Sequence, residues 1–279
     1  MIDFRFHIIS IVAVFLALGL GILMGSGFFG DVLVEDLKNR LADIRRTNHE
    51  RESEIDDLQS RIEAEQAFID EVQPELVGGA LQGRSVVVFE IEGLDDSTMD
   101  GVVASIELAG GTVATTIRLS DKFGLHSAAE KDQLALIVRS TAADDDDLLR
   151  DAGFVLGTRA AGASDFRPPP EALEPGLEEL LSELEDAGFA ATDGSSDGPP
   201  VPAGALFLIV GGTGDEPLYD ASELALALAT GIAQREGPVL VAEPSSSEWG
   251  LVDAVRSDGR AREFVSTVDQ AESVPGRIA

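Results

Sequence analysis

Residues 8–30, IISIVAVFLALGLGILMGSGFFG, carry no charged side chain, and a seven-residue apolar repeat begins almost as soon as they end. As a helix this run is roughly 35 Å long, enough to cross a bilayer core of about 30 Å. The alternative is a cleaved signal peptide, whose apolar region is about 7–15 residues and ends at a small-residue A-x-A-like site. The run here is longer, and Gly25, Ser26 and Gly27 do not form that pattern. It reads as an uncleaved anchor behind a short tail, residues 1–7. Within it Ala13, Ala17, Gly21 and Gly25 fall four apart and share one helix face. Small residues on one face let two membrane helices approach closely, where packing rather than a hydrophobic drive supplies the attraction. These four residues are the expected transmembrane helix contact.

The repeat that follows has a positions at Val34, Leu41, Asn48, Ile55, Ile62, Ile69 and Leu76. Its d positions are Leu37, Ile44, Arg51, Leu58, Glu65 and Val72. A period of 3.5 sustained over about six heptads predicts a coiled coil across residues 31–76. A helix packed on its own domain would present a wider apolar stripe than a and d alone. The seam expected from this register is Val34, Leu37, Leu41, Ile44, Asn48, Ile55, Leu58, Ile62, Ile69 and Val72. β-branched a residues favour two strands, and Asn48 at a fixes register. In a parallel self-pair Arg40 faces Arg45, while Thr47–Glu52, Glu54–Gln59 and Arg61–Gln66 are not ion pairs. Arg51 and Glu65 at d weaken a self-paired core further. A weak homodimer and a heterotypic coiled coil with a second membrane protein both fit.

The chain has 20 basic and 51 acidic residues, a formal charge of −31, and residues 76–279 carry 13 basic and 36 acidic of these. That balance argues against nucleic acid, whose affinity comes from Lys and Arg neutralising phosphate, and against docking the globular part onto anionic lipid. Only Lys38, Lys122 and Lys131 are lysines, and there is no cysteine, so neither disulfides nor thiol chemistry enter. The basic residues near the span are Arg5 before it and Lys38, Arg40, Arg45 and Arg46 after it, interleaved with Asp31, Glu35, Asp36 and Asp43. Taken literally the positive-inside rule keeps the C-terminal side in the cytoplasm, but long domains translocate largely regardless of charge.

Past Pro74 the pattern changes. Gly78, Gly79 and Gly83 mark a flexible joint over residues 77–83, and residues 84–279 read as an α/β domain. Strands are expected at Arg84–Ile91, Thr112–Leu119, Ala205–Val210, Pro238–Ala242 and Phe264–Val268. Helices are expected at Thr98–Ala109, Ala128–Arg139, Asp145–Leu156, Leu177–Ala187, Ser222–Gln234 and near Trp249–Arg256, with loops at Ser164–Pro170 and Thr192–Pro202. Strands alternating with helices predict a mostly parallel sheet covered by helices on both faces.

Motifs for chemistry are sparse. Gly211-Gly212-Thr213-Gly214 follows a strand, yet it lacks G-x-x-x-x-G-K-[ST], and Asp215, Glu216 and Pro217 would repel phosphate. The run Asp144–Asp147 reads as a helix N-terminus favoured by the dipole rather than as a cation site. Ser245, Ser246 and Ser247 have only His126 as a conceivable base, because the other histidines are His7 and His49. No catalytic, cofactor or metal residue is assigned, and the chain does not read as an enzyme.

The block FRFHIISIVAVFLALGLGILMGS, residues 4–26, the stalk, and EFVSTVDQAESVPGR, residues 263–277, resemble the actinobacterial MctB-type copper transporter family. The resemblance covers essentially the whole chain; between the anchor block and the VSTVD…GR segment it is one of pattern only. It implies an envelope protein in copper homeostasis or efflux, with the C-terminal domain outside the cytoplasm. Members also look like partners in septal cell-wall control, where a coiled coil contacts a second membrane protein. Relatives run on past the position of Arg277, so the resemblance implies an incomplete or shortened C-terminal end here. The residues themselves offer no soft copper ligands: cysteine is absent, and Met1, Met24, Met99 and the histidines stand isolated. One helix makes no pore, and the alternating strands of an outer-membrane barrel are missing. The expectation is therefore a membrane-anchored accessory protein that meets copper only indirectly and pairs with itself or a second coiled-coil membrane protein.

Overall fold

The computed structural model describes residues 4–91, 93–164, 176–194, 199–212, 219–273 and 276–277. One helix, α1 (Phe4–Val77), runs for 74 residues. It contains the apolar segment Arg5–Gly25, of mean hydropathy 2.7 in its most apolar window. Pro74 sits in its last turn, where it removes the N–H that would donate to the carbonyl four residues back and so weakens the helix just before it ends. The chain divides into two compact units, Met1–Glu65 and Gln66–Ala279.

In the second unit the end of α1 leads into hydrogen-bonded turns: Leu81 N–H donates to Ala109 O at 2.9 Å and Gly83 N–H to Gly110 O at 3.1 Å. Gly79 and Gly83 have φ of 81° and 69° there, the left-handed region that a side chain disfavours. Strands β1 (Ser85–Ile91), β2 (Thr112–Leu119), β3 (Ala190–Gly194), β4 (Leu206–Val210), β5 (Val239–Ala242) and β6 (Val265–Val268) form one sheet in the order β3-β2-β1-β4-β5-β6. It is mixed: β3 pairs antiparallel with β2, and the other pairings are parallel. β3 corrects the reading of Thr192–Pro202 as loop from its first residue. Ala190–Gly194 is nearly all exposed, so no alternation marks it; backbone pairing with β2 and the bond from Ser120 N–H to Phe189 O hold it.

The helices are α2 (Asp96–Leu108), α3 (Ala128–Val138), α4 (Asp145–Ala163), α5 (Leu177–Asp186), α6 (Ala221–Gln234), α7 (Leu251–Ser257) and the short α8 (Ala261–Phe264). α2 carries β1 to β2 and α6 carries β4 to β5, in opposite directions across the sheet. Right-handed crossovers running opposite ways lie on opposite faces. Accordingly Val87, Phe89, Phe207 and Ile209 pack with α3 to α7 in the larger core, while Val86, Val88, Leu208 and Val210 meet α2 in the smaller one. Coverage of the two faces is therefore unequal, with α2 as the one helix contributing buried residues to the smaller core.

α4 extends seven residues beyond the expected Leu156 because its glycines are contact points, not stops. A Cβ on Gly157 would come 2.2 Å from Leu228 O, and one on Gly153 2.6 Å from Leu224 O, both on α6. The two helices touch backbone to backbone.

Asp95 caps α2, accepting from Ser97 N–H at 2.9 Å, Thr98 N–H at 3.3 Å and the Thr98 hydroxyl at 2.5 Å. The Thr98 hydroxyl, then Ser97, hold its carboxyl at about 2, below the ordinary 3.8. A folded value below the unfolded one means the cap contributes fully above about pH 4 and fades as pH falls towards 2. Asp95→Asn should flatten the melting temperature between pH 4 and pH 2 relative to the parent chain. Parallel curves for the two would show that the cap plays no part in acid unfolding.

Candidate functional site

The long helix presents its apolar residues to the outside. Along the expected seam Leu37, Leu41, Ile44, Ile55, Leu58 and Ile62 are each about half exposed, between 47% and 57%. Val34 lies in α1 with its side chain outside the described residues. Asn48 is exposed, whereas Ile69 and Val72 are half-buried and the neighbouring Gln73 is buried. Ile69 and Val72 fall within the second compact unit, so the exposed part of the seam ends near Ile62.

Part of the stalk's charge pairs away from that seam, while Arg51 and Glu65 stay at d within it, both exposed. Arg46 approaches Asp43 at 4.0 Å and Glu50 at 3.6 Å along the same helix. In the register above these three are f and c residues, on the face opposite a and d. His49 lies 3.6 Å from Glu52. Such exposed pairs are worth only a few tenths of a kcal/mol each, roughly 0.3–0.5; their use is to occupy the charges locally. What remains along a and d is an apolar stripe interrupted by Asn48 and Arg51.

In the span Ala13, Ala17, Gly21 and Gly25 are all exposed. A Cβ on Gly21 or Gly25 would meet nothing within 4 Å.

The α/β domain uses its polar residues to hold itself together. Glu243, at the end of β5, is buried and accepts from Leu251 N–H at 3.0 Å, Val252 N–H at 3.1 Å and the Ser247 hydroxyl at 3.1 Å, fixing the start of α7. Ser245 donates through its hydroxyl and its N–H to Glu272, not to a histidine. Burial pushes the Glu272 carboxyl up, but the bonds from Ser245, a bond from its own backbone and the Arg277 charge together outweigh it, and the net displacement is downward. Glu90, buried on β1, pairs with Arg118 of β2 at 3.2 Å, and that bond raises the Arg118 guanidinium above its ordinary value.

The acidic run has the role expected of a helix start. Asp144 caps α4 by accepting from Asp147 N–H at 2.9 Å. Asp145 pairs with Lys131 at 2.6 Å, and Asp147 pairs with Arg150, which also reaches Glu223 at 3.2 Å. Of the glycine loop after β4, Gly211 and Gly212 are described; Thr213, Gly214, Asp215, Glu216 and Pro217 lie outside the described residues. Among the described residues no three of His, Asp and Glu gather closely enough to hold a metal ion. Neither the Glu243 nor the Glu272 anchor is marked by a sequence motif: Glu243 closes a local turn onto the start of α7, 8 and 9 positions on, and Glu272 reaches Ser245 across 27 positions.

Comparison with known proteins gives a consistent result. The model of a family described as copper transport outer membrane protein, MctB, matches residues 1–279. The chain is 29% identical over 291 positions to the copper transporter MctB of Mycobacterium tuberculosis H37Rv, covering 100% of this chain and 90% of that protein. It is 28% identical over 297 positions to the copper transporter MctB of Mycobacterium leprae strain TN, with the same coverage.

Proposed function

The chain belongs to the MctB family, and from that premise we propose that it serves copper homeostasis in the cell envelope as a single-pass, coiled-coil accessory protein. The observation that carries this reading is the exposed stripe from Leu37 to Ile62 on α1. Its residues sit at heptad positions directly after an apolar span, so a partner helix at the seam would bury them. The anchor is the charge-free run of residues 8–30 at the head of α1, and the α/β domain lies outside the cytoplasm. Copper is met indirectly, through the assembly. Support for this comes from the absence of cysteine, the isolated methionines, and the lack of a ligating cluster among the described residues.

Protease added to intact spheroplasts should digest the α/β domain and leave a membrane-bound fragment of α1. Full protection would reverse the orientation.

The second reading is an envelope scaffold in septation or cell-wall hydrolase regulation, working through coiled-coil contact with a membrane partner. It draws on the same stripe, since a heptad seam says nothing of the pathway it serves. A strain lacking the chain separates the two. Lost copper tolerance with normal septa supports the first, whereas chained or misdivided cells of normal tolerance favour the second.

A further inference from the structure

The face of the sheet that α2 covers, with Val77 at the end of α1 beside it, is not filled. Val102 and Ile106 of α2 form one wall of a groove, and Leu208 of β4 with Leu240 of β5 form its floor. Leu81 and Arg277 bound it at the rim. Its volume is about 290 Å³, at the small end of the ~300–1,000 Å³ typical of ligand pockets.

The chemistry of its lining runs against that of the chain. Residues 76–279 hold 36 acidic and 13 basic residues, yet among the described residues that line the groove the one charged side chain is Arg277 and none is a carboxylate. Arg277 is also held in place. Its Nε donates to the Ser105 hydroxyl at 3.1 Å, and its Nη1 to Glu272 O at 2.6 Å and Ala271 O at 3.4 Å. Gly101 leaves room for the guanidinium: a Cβ there would lie 2.9 Å from Nη1. Nη2 has no acceptor among the described residues. Its hydrogen-bond partners are neutral, and its charge also reaches the neighbouring Glu272 carboxylate, which it helps to hold ionised; with a donor left over, a guanidinium held this way is pre-organised for a further anion and loses little side-chain freedom on binding one.

We propose that this groove binds a single-chain amphiphile with an anionic head, of the fatty-carboxylate class. The alkyl chain lies on Leu208 and Leu240 against Val102 and Ile106, and the carboxylate meets Arg277 at the rim. The apolar floor supplies most of the affinity, because the acidic domain around it repels anions at long range. The single cation gives the choice of head group.

The test uses the full chain in lipid nanodiscs and decanoic acid carrying a photoreactive diazirine at its methyl end. Saturable labelling should map to peptides containing Val102–Ile106 and Leu208, and unlabelled decanoate should compete while decyltrimethylammonium should not. Arg277→Gln should reduce labelling at least tenfold. Leu240→Trp, which fills the groove and leaves the arginine alone, should do the same and decides the matter if Arg277→Gln fails to fold. Labelling that does not saturate, that falls only on α1, that the cation displaces equally, or that survives Leu240→Trp would overturn the proposal.

Discussion

Replacing Ile55 and Ile62 together with aspartate is expected to abolish pairing of α1 while leaving the α/β domain folded. Both residues are 53% exposed in the single chain, so neither contributes much to the fold by itself. In a seam each would bury most of its side chain, a loss of roughly 3–6 kcal/mol for the two in one strand. The aspartates then add unpaired charge to a closed apolar interface. At about 1.4 kcal/mol per decade the first term alone weakens association by two to four orders of magnitude. The chain has no cysteine, so single cysteines report cleanly. Oxidation in membranes should crosslink Leu58→Cys, at d, and not Glu50→Cys, on the outer face. Adding the two aspartates should erase the product. Equal crosslinking at both positions would mean chance collision and no seam.

Gly157→Ala is expected to destabilise the α/β domain strongly, although alanine is the better helix former. Exchanging glycine for alanine within a helix gains about 1 kcal/mol. Here the new methyl would stand 2.2 Å from Leu228 O and 3.1 Å from Ile232 N, both backbone atoms. α4 and α6 must separate, opening the core between them, and overpacking of this kind costs about 1–3 kcal/mol or more. A backbone contact of 2.2 Å puts the cost at the upper end of that range, so the clash wins, and a net loss of about 2 kcal/mol lowers the melting point of a roughly 200-residue domain by roughly 4–8 °C. Gly162→Ala on the same helix meets nothing within 4 Å and should be neutral or slightly stabilising. Thermal unfolding followed by Trp249 fluorescence compares the two. Equal melting points would show that the helices part without cost.

The contrast between those glycines marks where sequence reading succeeds and where it stops. Strand β2 was legible to the residue, since Thr112–Leu119 is β-branched and bounded by glycine and a serine cap. The expected α4 stops at Leu156 because Gly157 looks like a terminator in one dimension, and only α6 lying across it explains the residue. β3 left no trace because an exposed edge strand is specified by its neighbour's backbone and not by its own side chains. The long helix was legible from the heptads, while a pairing partner leaves its mark in a second chain. The groove could not be foreseen, as Ser105 and Arg277 stand 172 positions apart.

Assembly through α1, rather than chemistry in the α/β domain, is the claim on which this account turns. Copper tolerance of a strain lacking the chain, restored by variants at matched expression, measures it directly. Ser245→Ala and Asp145→Ala should restore growth in copper, whereas Ile55→Asp with Ile62→Asp should not. Restoration by the seam variant together with failure of either single variant would contradict the account and place the activity in the α/β domain.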